Sequence, residues 1–289
     1  MGTVCVEVAV RDDPRLLDAL ASLDRQQRRP DRVLVAASPA TPESLLTNAR
    51  ARFPNLPLDL RRFPGGVVDA RAASLTDLRE EVTAFLDSDE QAPPEWIARM
   101  VEPIENGTAD FTGGPTRPLR PPQGSIERYS VLLEAAIYSD LVPRRVSYLP
   151  LQNTAWRTTV LRQLGFDPRI PYAEDHDLET RAAHAGRAGA FLPDAWVYHD
   201  GGAETSLLRW ARKRYRYLVA MAMSLMKNGE LAGRLSEARR PVRHPLRYVE
   251  AAMKPPALLH AWVRWHRVSS ADERRAAAQR RGPPALPPP

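Results

Sequence analysis

Three features of the sequence predict an α/β fold built on a doubly wound, mostly parallel sheet with helices added at its C-terminal end. Strand-like and helix-like segments alternate in the order β-α-β-α-β-α-β through residues 4–86. Beyond Gly201-Gly202 the pattern becomes wholly helical. A chain of 289 residues with 43% hydrophobic composition can bury the core that such a sheet needs.

The elements follow in order. Residues 4–10 form a first apolar run, and Leu16, Leu17, Leu20 and Leu23 give 14–26 helical spacing. Residues 33–37 read as a second strand, 43–52 as a helix, and 58–63 as a third strand closed by Pro64-Gly65-Gly66. A helix over 70–81 then leads to a buried strand over 82–86. In the middle, 111–116 reads as a strand, 118–124 as a proline-rich loop, 126–140, 158–165 and 175–185 as helices, and 195–199 as a strand. Residues 207–227 and 245–268 are long helices, the second expected to break at Pro255-Pro256. The Arg/Ala-rich and then Pro-rich stretch 269–289 is expected to be disordered.

Charge is unevenly placed. The net charge is +6, yet from Thr205 onward 18 Lys+Arg face 5 Asp+Glu, against 23 and 30 before it. An acidic body therefore carries a basic C-terminal region. That region suits an anionic membrane surface or a polyanion, and it is equally the composition of a solvated helical face. Trp262 and Trp265, with Arg264 and Arg267, suit peripheral membrane contact, although such tryptophans more often pack a helix onto its domain. The single cysteine, Cys5, excludes an internal disulfide, and no stretch has the character of a signal peptide or membrane span. The expectation is a cytoplasmic protein. The chain also lacks the aromatic-and-basic motifs of RNA modules, which argues against nucleic acid as its partner.

In a doubly wound sheet the ligand lies beyond the carboxyl ends of the strands. There the strand over 82–86 runs into Asp87-Ser88-Asp89-Glu90. Carboxylates this close repel one another and call for a cation, and their hard oxygens suit Mg²⁺ or Mn²⁺. An acidic turn capping the next helix is the plain alternative. Glu174-Asp175-His176-Asp177 opens a helix, where acids are favoured by the dipole and where one carboxylate is also suited to act as a general base. His199, at the end of an apolar strand, fits either a structural role or a metal.

Together and in this order, these pieces resemble the family 2 glycosyltransferases of GT-A fold. The resemblance runs through residues 4–12, Asp69-Ala70-Arg71-Ala72-Ala73, Phe85-Leu86-Asp87-Ser88-Asp89-Glu90, Gly113-Gly114-Pro115, Asn153-Thr154-Ala155-Trp156-Arg157, Leu164-Gly165-Phe166-Asp167, Glu174-Asp175-His176-Asp177-Leu178 and His199. It implies an inverting, metal-dependent transfer from a nucleotide-diphosphate sugar to an acceptor that is a sugar, lipid, peptide or small metabolite. Asp89, Asp87 and His199 would hold the metal. Asp12, Arg71, Asp87, Asp89, Gly113 and Gly114 would line the donor. Asp175 would be the base, supported by Glu174. Ser206-Leu207-Leu208-Arg209-Trp210 is a weak likeness of the Q-x-x-R-W motif of processive members, which brings in Arg209 or Arg212 as partners of the diphosphate.

One departure stands out. Ala36-Ala37-Ser38 occupies the place after the second strand where the family carries acids that read the base, leaving Asp12 or Asp69 to do so. A sugar-nucleotide pyrophosphorylase is disfavoured, because Val10-Arg11-Asp12-Asp13-Pro14 has no glycine. The remaining alternative is a catalytically degenerate relative that binds a polyanion or membrane surface through its basic end. The expected layout is a catalytic domain over 1–205, a helical extension over 206–268 and a tail over 269–289.

Overall fold

The computed structural model describes residues 2–139, 149–201, 206–231 and 243–281. Its elements are β1 (Val4–Val10), α1 (Leu16–Asp24), β2 (Arg32–Ala37), α2 (Glu43–Arg52), β3 (Leu58–Arg62), α3 (Val67–Ser74), β4 (Val82–Leu86) and β5 (Glu90–Gln91). There follow α4 (Trp96–Glu105), β6 (Phe111–Gly113), β7 (Thr116–Pro118), α5 (Ser125–Ser139), β8 (Asn153–Arg157), α6 (Thr158–Leu164), α7 (Glu174–His184), β9 (Gly189–Phe191) and β10 (Val197–His199). Two long helices, α8 (Leu207–Lys227) and α9 (Leu246–Arg281), are the last elements among the described residues.

Seven strands form one sheet in the order β3-β2-β1-β4-β8-β6-β9. All neighbours are parallel except β8, which runs antiparallel to β4 and β6. Both faces are covered, as a parallel sheet requires. The two-residue period of β1 sends Val4, Val6, Val8 and Val10 into a layer with Leu16, Leu20, Trp96 and Ile97. On the opposite face Cys5 joins Leu34, Phe85, Trp156 and Leu178. Trp96 and Trp156, 1% and 0% exposed, anchor the two layers. Burial of each contributes roughly 4–6 kcal/mol against the unfolded chain. Trp156 also stacks on Phe111, ring centres 4.2 Å apart. A second sheet, β5-β10-β7, sits at the edge where β4 ends.

Several boundaries differ from expectation. The helix predicted over 70–81 lies at Val67–Ser74 instead. Gly65, at φ +81°, makes the turn, and the Gly66 N–H donates to the Asp69 carboxylate at 2.7 Å, starting the helix early. The helix predicted to break at Pro255-Pro256 runs through both. Burial of Ala257 and Ala261 against Val219 and Met223 of α8 outweighs the lost backbone hydrogen bonds. It also continues to Arg281, where disorder was expected. Alanine and arginine are strong helix formers, and composition alone does not separate that outcome from disorder. Residues 282–289 and Gly202 lie outside the described residues. The strands β5, β8 and β9 were not anticipated, β5 being only two residues long.

Candidate active site

β1 and β4 are parallel neighbours, so the segments after Val10 and Leu86 leave the sheet at the same edge. The small sheet then returns a histidine to that edge. β10 pairs antiparallel with β5, which sets His199 opposite Glu90. His199 Nε2 lies 3.4 Å from Asp89 Oδ2, and its Nδ1 lies 3.6 Å from Glu134 Oε1 on α5. Arg15, at the start of α1, reaches the same acids. It holds Asp13 at 2.7 Å and approaches Asp89 at 3.5 Å and Asp200 at 3.7 Å, while donating to the Asp200 carbonyl.

Arg71 forms the other half of the site. From α3 its guanidinium donates to Asp87 Oδ1 at 2.8 Å and to Glu174 Oε1 at 2.9 Å. One buried cation, 5% exposed, thus joins the acidic turn after β4 to the carboxylates that open α7. Beneath it lies Glu7, on the β1 face turned toward α3, 1% exposed and accepting from Ser74 Oγ at 2.8 Å. Asp175 follows Glu174 in the first turn of α7. The chain enters that turn through Tyr172, a non-glycine residue at φ 75°. Such conformations cost about 1–3 kcal/mol and gather at functional sites. Tyr172 packs on Tyr217 of α8, ring centres 5.5 Å apart.

Electrostatics divide these groups. Burial alone would lower His199, but Asp89 and Glu134 outweigh it and push its pKa to about 11, so the ring is an imidazolium between two carboxylates. Burial would raise Asp89, but His199 and Arg15 hold it below the usual range. Glu90 is raised well above that range by burial and then by the charge of Asp87. Its Oε2 accepts from the Asp87 N–H at 3.1 Å, and its Oε1 is buried without a partner. Burial raises Glu7 to about 7, against the opposing charge of Arg71. The Tyr217 hydroxyl is pushed up by burial and then by the charges of Asp175, Glu174 and Asp87.

The structure therefore brings together Arg71, Asp87, Asp89, Glu174, Asp175 and His199. Other candidates lie differently. Asp12 is exposed, and its neighbour Asp13 is the one tied to Arg15. Gly113 and Gly114 are buried, and a Cβ on Gly114 would fall 1.9 Å from the Ala195 carbonyl oxygen, so close packing demands this glycine. Asn153, fully buried, fixes that corner by donating to the Pro115 and Ala195 carbonyls and accepting from the Trp96 indole N–H. Arg209 and Arg212 are exposed at the start of α8, where Ser206 Oγ caps the helix. Ala36 and Ala37 are buried, and Asp69 is engaged in starting α3. Sequence reasoning missed Arg15, Glu134, Tyr217 and Glu7. Only Glu7, an acid inside an apolar run, carried a local signal.

Three solved structures share this architecture. The mannosyltransferase PcManGT from Pyrobaculum calidifontis, in complex with GDP-Man and Mn²⁺, matches with a TM-score of 0.62 at 19% identity, over 98% of this chain and 81% of that one. TarS 1–349 from S. aureus, in complex with UDP-GlcNAc, gives 0.61 at 18% identity, over 90% and 79%. Glucosyl-3-phosphoglycerate synthase from Mycobacterium tuberculosis, with Mn²⁺, UDP-Glc and phosphoglyceric acid, gives 0.55 at 17% identity, over 79% and 80%. The shared fold is GT-A. The succinoglycan biosynthesis protein ExoM of Rhizobium meliloti (strain 1021) is 26% identical over 212 residues, covering 69% of this chain and 67% of that protein. The chain belongs to glycosyl transferase family 2, whose sequence model matches residues 4–150.

Proposed function

We propose that this glycosyltransferase is metal-dependent and inverting, works in the cytoplasm, and moves a sugar from a nucleotide-diphosphate donor to an acceptor hydroxyl. The observation that carries the reading is the Arg71 bridge, which ties the donor-side Asp87 to the base-side Glu174 in one buried network.

Among the described residues, no three His, Cys, Asp or Glu side chains gather closely enough to enclose a metal ion. Magnesium needs no such cluster: it commonly takes one or two carboxylates and completes its shell with substrate phosphates and water. Asp89, with Asp87 beside it, offers such a partial set, which His199 would join on giving up a ring proton to the bound cation, and the unpartnered Glu90 Oε1 adds a further oxygen to the acid-rich edge. Two of the structural relatives were captured with Mn²⁺. A bound cation would offset the charge that builds on the departing nucleotide diphosphate.

The chain's own residues do the rest. Arg71 fixes Asp87 toward the nucleotide and holds Glu174 in place at the start of α7. Asp175 accepts the proton of the acceptor hydroxyl as its oxygen bonds to the anomeric carbon. The bond from that carbon to the diphosphate breaks on the opposite face, its electron pair leaves with the nucleotide, and configuration inverts. Tyr172 and Tyr217 form an aromatic wall beside the base, suited to stacking against a sugar ring.

Calorimetric titration of UDP, GDP and dTDP, with and without Mn²⁺, tests the donor site. One nucleotide is expected to bind only with metal, and to lose binding in Asp89→Ala. A folded protein that binds none of the three would overturn the reading and leave a degenerate relative.

A further inference from the structure

The His199 ring is held at both ends. Its Nε2 lies 3.4 Å from Asp89 Oδ2, on the acid-rich edge after β4, and its Nδ1 lies 3.6 Å from Glu134 Oε1 on α5. The two nitrogens of an imidazole are distinct, and the partner of one decides what the other presents. Asp89 is the partner that a cation would claim. Glu134 comes from the opposite side of the ring, on a helix that belongs to neither acidic motif.

The fold keeps Glu134 in that place. Gln152, beside the start of β8, donates through Nε2 to the same Glu134 Oε1 at 3.2 Å. Tyr138 lies four residues further along α5 and so on the same face of the helix. Its hydroxyl is 3.3 Å from Thr116 Oγ1 on β7. β7 in turn pairs with β10, with Pro118 opposite His199. Helix α5 and the strand that carries the histidine are therefore fixed to one another. The His199 and Glu134 side chains are only 27% and 26% exposed, which shields the pair from the screening that weakens surface pairs.

We propose that Glu134 is a positioning residue for the metal site: it holds His199 by Nδ1, so that Nε2 faces the edge where Asp87 and Asp89 would receive the cation. This role rests on the metal-dependent reading of the same site and adds a residue to it. The last torsion of a histidine side chain is broad and roughly two-fold, so an untethered ring has no fixed face to offer. A carboxylate on the far nitrogen supplies that orientation and makes the ring a stronger donor. A purely structural tie between α5 and the small sheet is already made by Tyr138 and Thr116.

The test is Mn²⁺ titrated into the full chain without nucleotide, followed by loss of the EPR signal of the free ion. Glu134→Met, close in size but without an oxygen for Nδ1, and Glu134→Ala should each weaken binding about 10- to 100-fold. Glu134→Gln keeps an acceptor and should recover most of that loss. His199→Ala should weaken binding at least as much. In that background Glu134→Met should make no further difference, because Glu134 acts through the ring. Melting temperatures without metal establish that each variant is folded. A parent that takes up no Mn²⁺ would remove the metal reading and this role with it. A parent that binds, with Glu134→Met and Glu134→Ala binding equally well, would overturn the positioning role alone. So would the same loss from Glu134→Met whether or not His199 is present, since that is the mark of a general effect of charge.

Discussion

Arg71 holds two carboxylates at 2.8 and 2.9 Å in a place almost closed to water, whereas Lys254, Arg264 and Arg267 of α9 stand exposed to it. Both regions are rich in charge, but each uses it differently. At the end of β4 desolvation makes the position of every charge matter, and a lost partner leaves another group stranded. On α9 water screens each cation, so each acts only weakly on its neighbours. Single substitutions should therefore have large, local effects in the first region and small ones in the second.

The largest effect is expected at Asp175. Asp175→Asn should lower kcat by about 10²–10⁴-fold while metal-dependent nucleotide binding survives, measured by steady-state kinetics beside calorimetry. Loss of nucleotide binding in step with activity would instead make Asp175 part of the donor site. Next comes Arg71→Met, which removes the cation between Asp87 and Glu174. It should destabilise the protein by about 3–5 kcal/mol in urea unfolding and abolish nucleotide binding. A change below about 1 kcal/mol would place this pair in the screened class to which α9 belongs.

Glu7 sharpens the comparison through pH. Burial raises its pKa from 4.5 to about 7 in the folded protein. Protonated Glu7 favours the folded state, so its contribution is fully present below about pH 4.5 and is lost as pH rises through about 7. The loss is on the order of 3 kcal/mol. Glu7→Gln keeps an acceptor for Ser74 and has no proton to lose. Its stability relative to the parent should therefore rise across that window, and parallel pH profiles would remove Glu7 from the charge network.

How far this was legible in the sequence follows the same division. β1, α2, β4 and α8 were read to the residue or nearly so, because apolar period and punctuation are local signals. Asp87, Asp89, Glu174 and Asp175 were legible because they sit in short contiguous motifs at element ends. Arg71 was found through its segment, but its bridge between two distant motifs was not. Arg15, Glu134 and Tyr217 gave no sign, since each reaches the site only through α1, α5 and α8 folding around it. The two-residue β5 is too short to have a period, yet it sets His199 opposite Glu90. Gly113-Gly114 was read for a donor, while the fold uses Gly114 to let the Ala195 carbonyl approach.

The smallest expected effects lie where α8 and α9 meet the body of the protein and where they leave it. Tyr129 of α5, 2% exposed, donates to Glu250 Oε2 at 2.9 Å, and Arg214 donates twice to the same carboxylate. Tyr129→Phe leaves Glu250 paired with Arg214, so it should cost only about 1 kcal/mol in thermal or urea unfolding. Arg264→Gln, a change at an exposed position of α9, should stay within about 0.5 kcal/mol. The ordering Arg71→Met, then Tyr129→Phe, then Arg264→Gln is what separates buried, half-paired and solvated charge. If Arg264→Gln cost as much as Tyr129→Phe, Arg264 would have a partner within the fold, and the contrast between the two regions would fail.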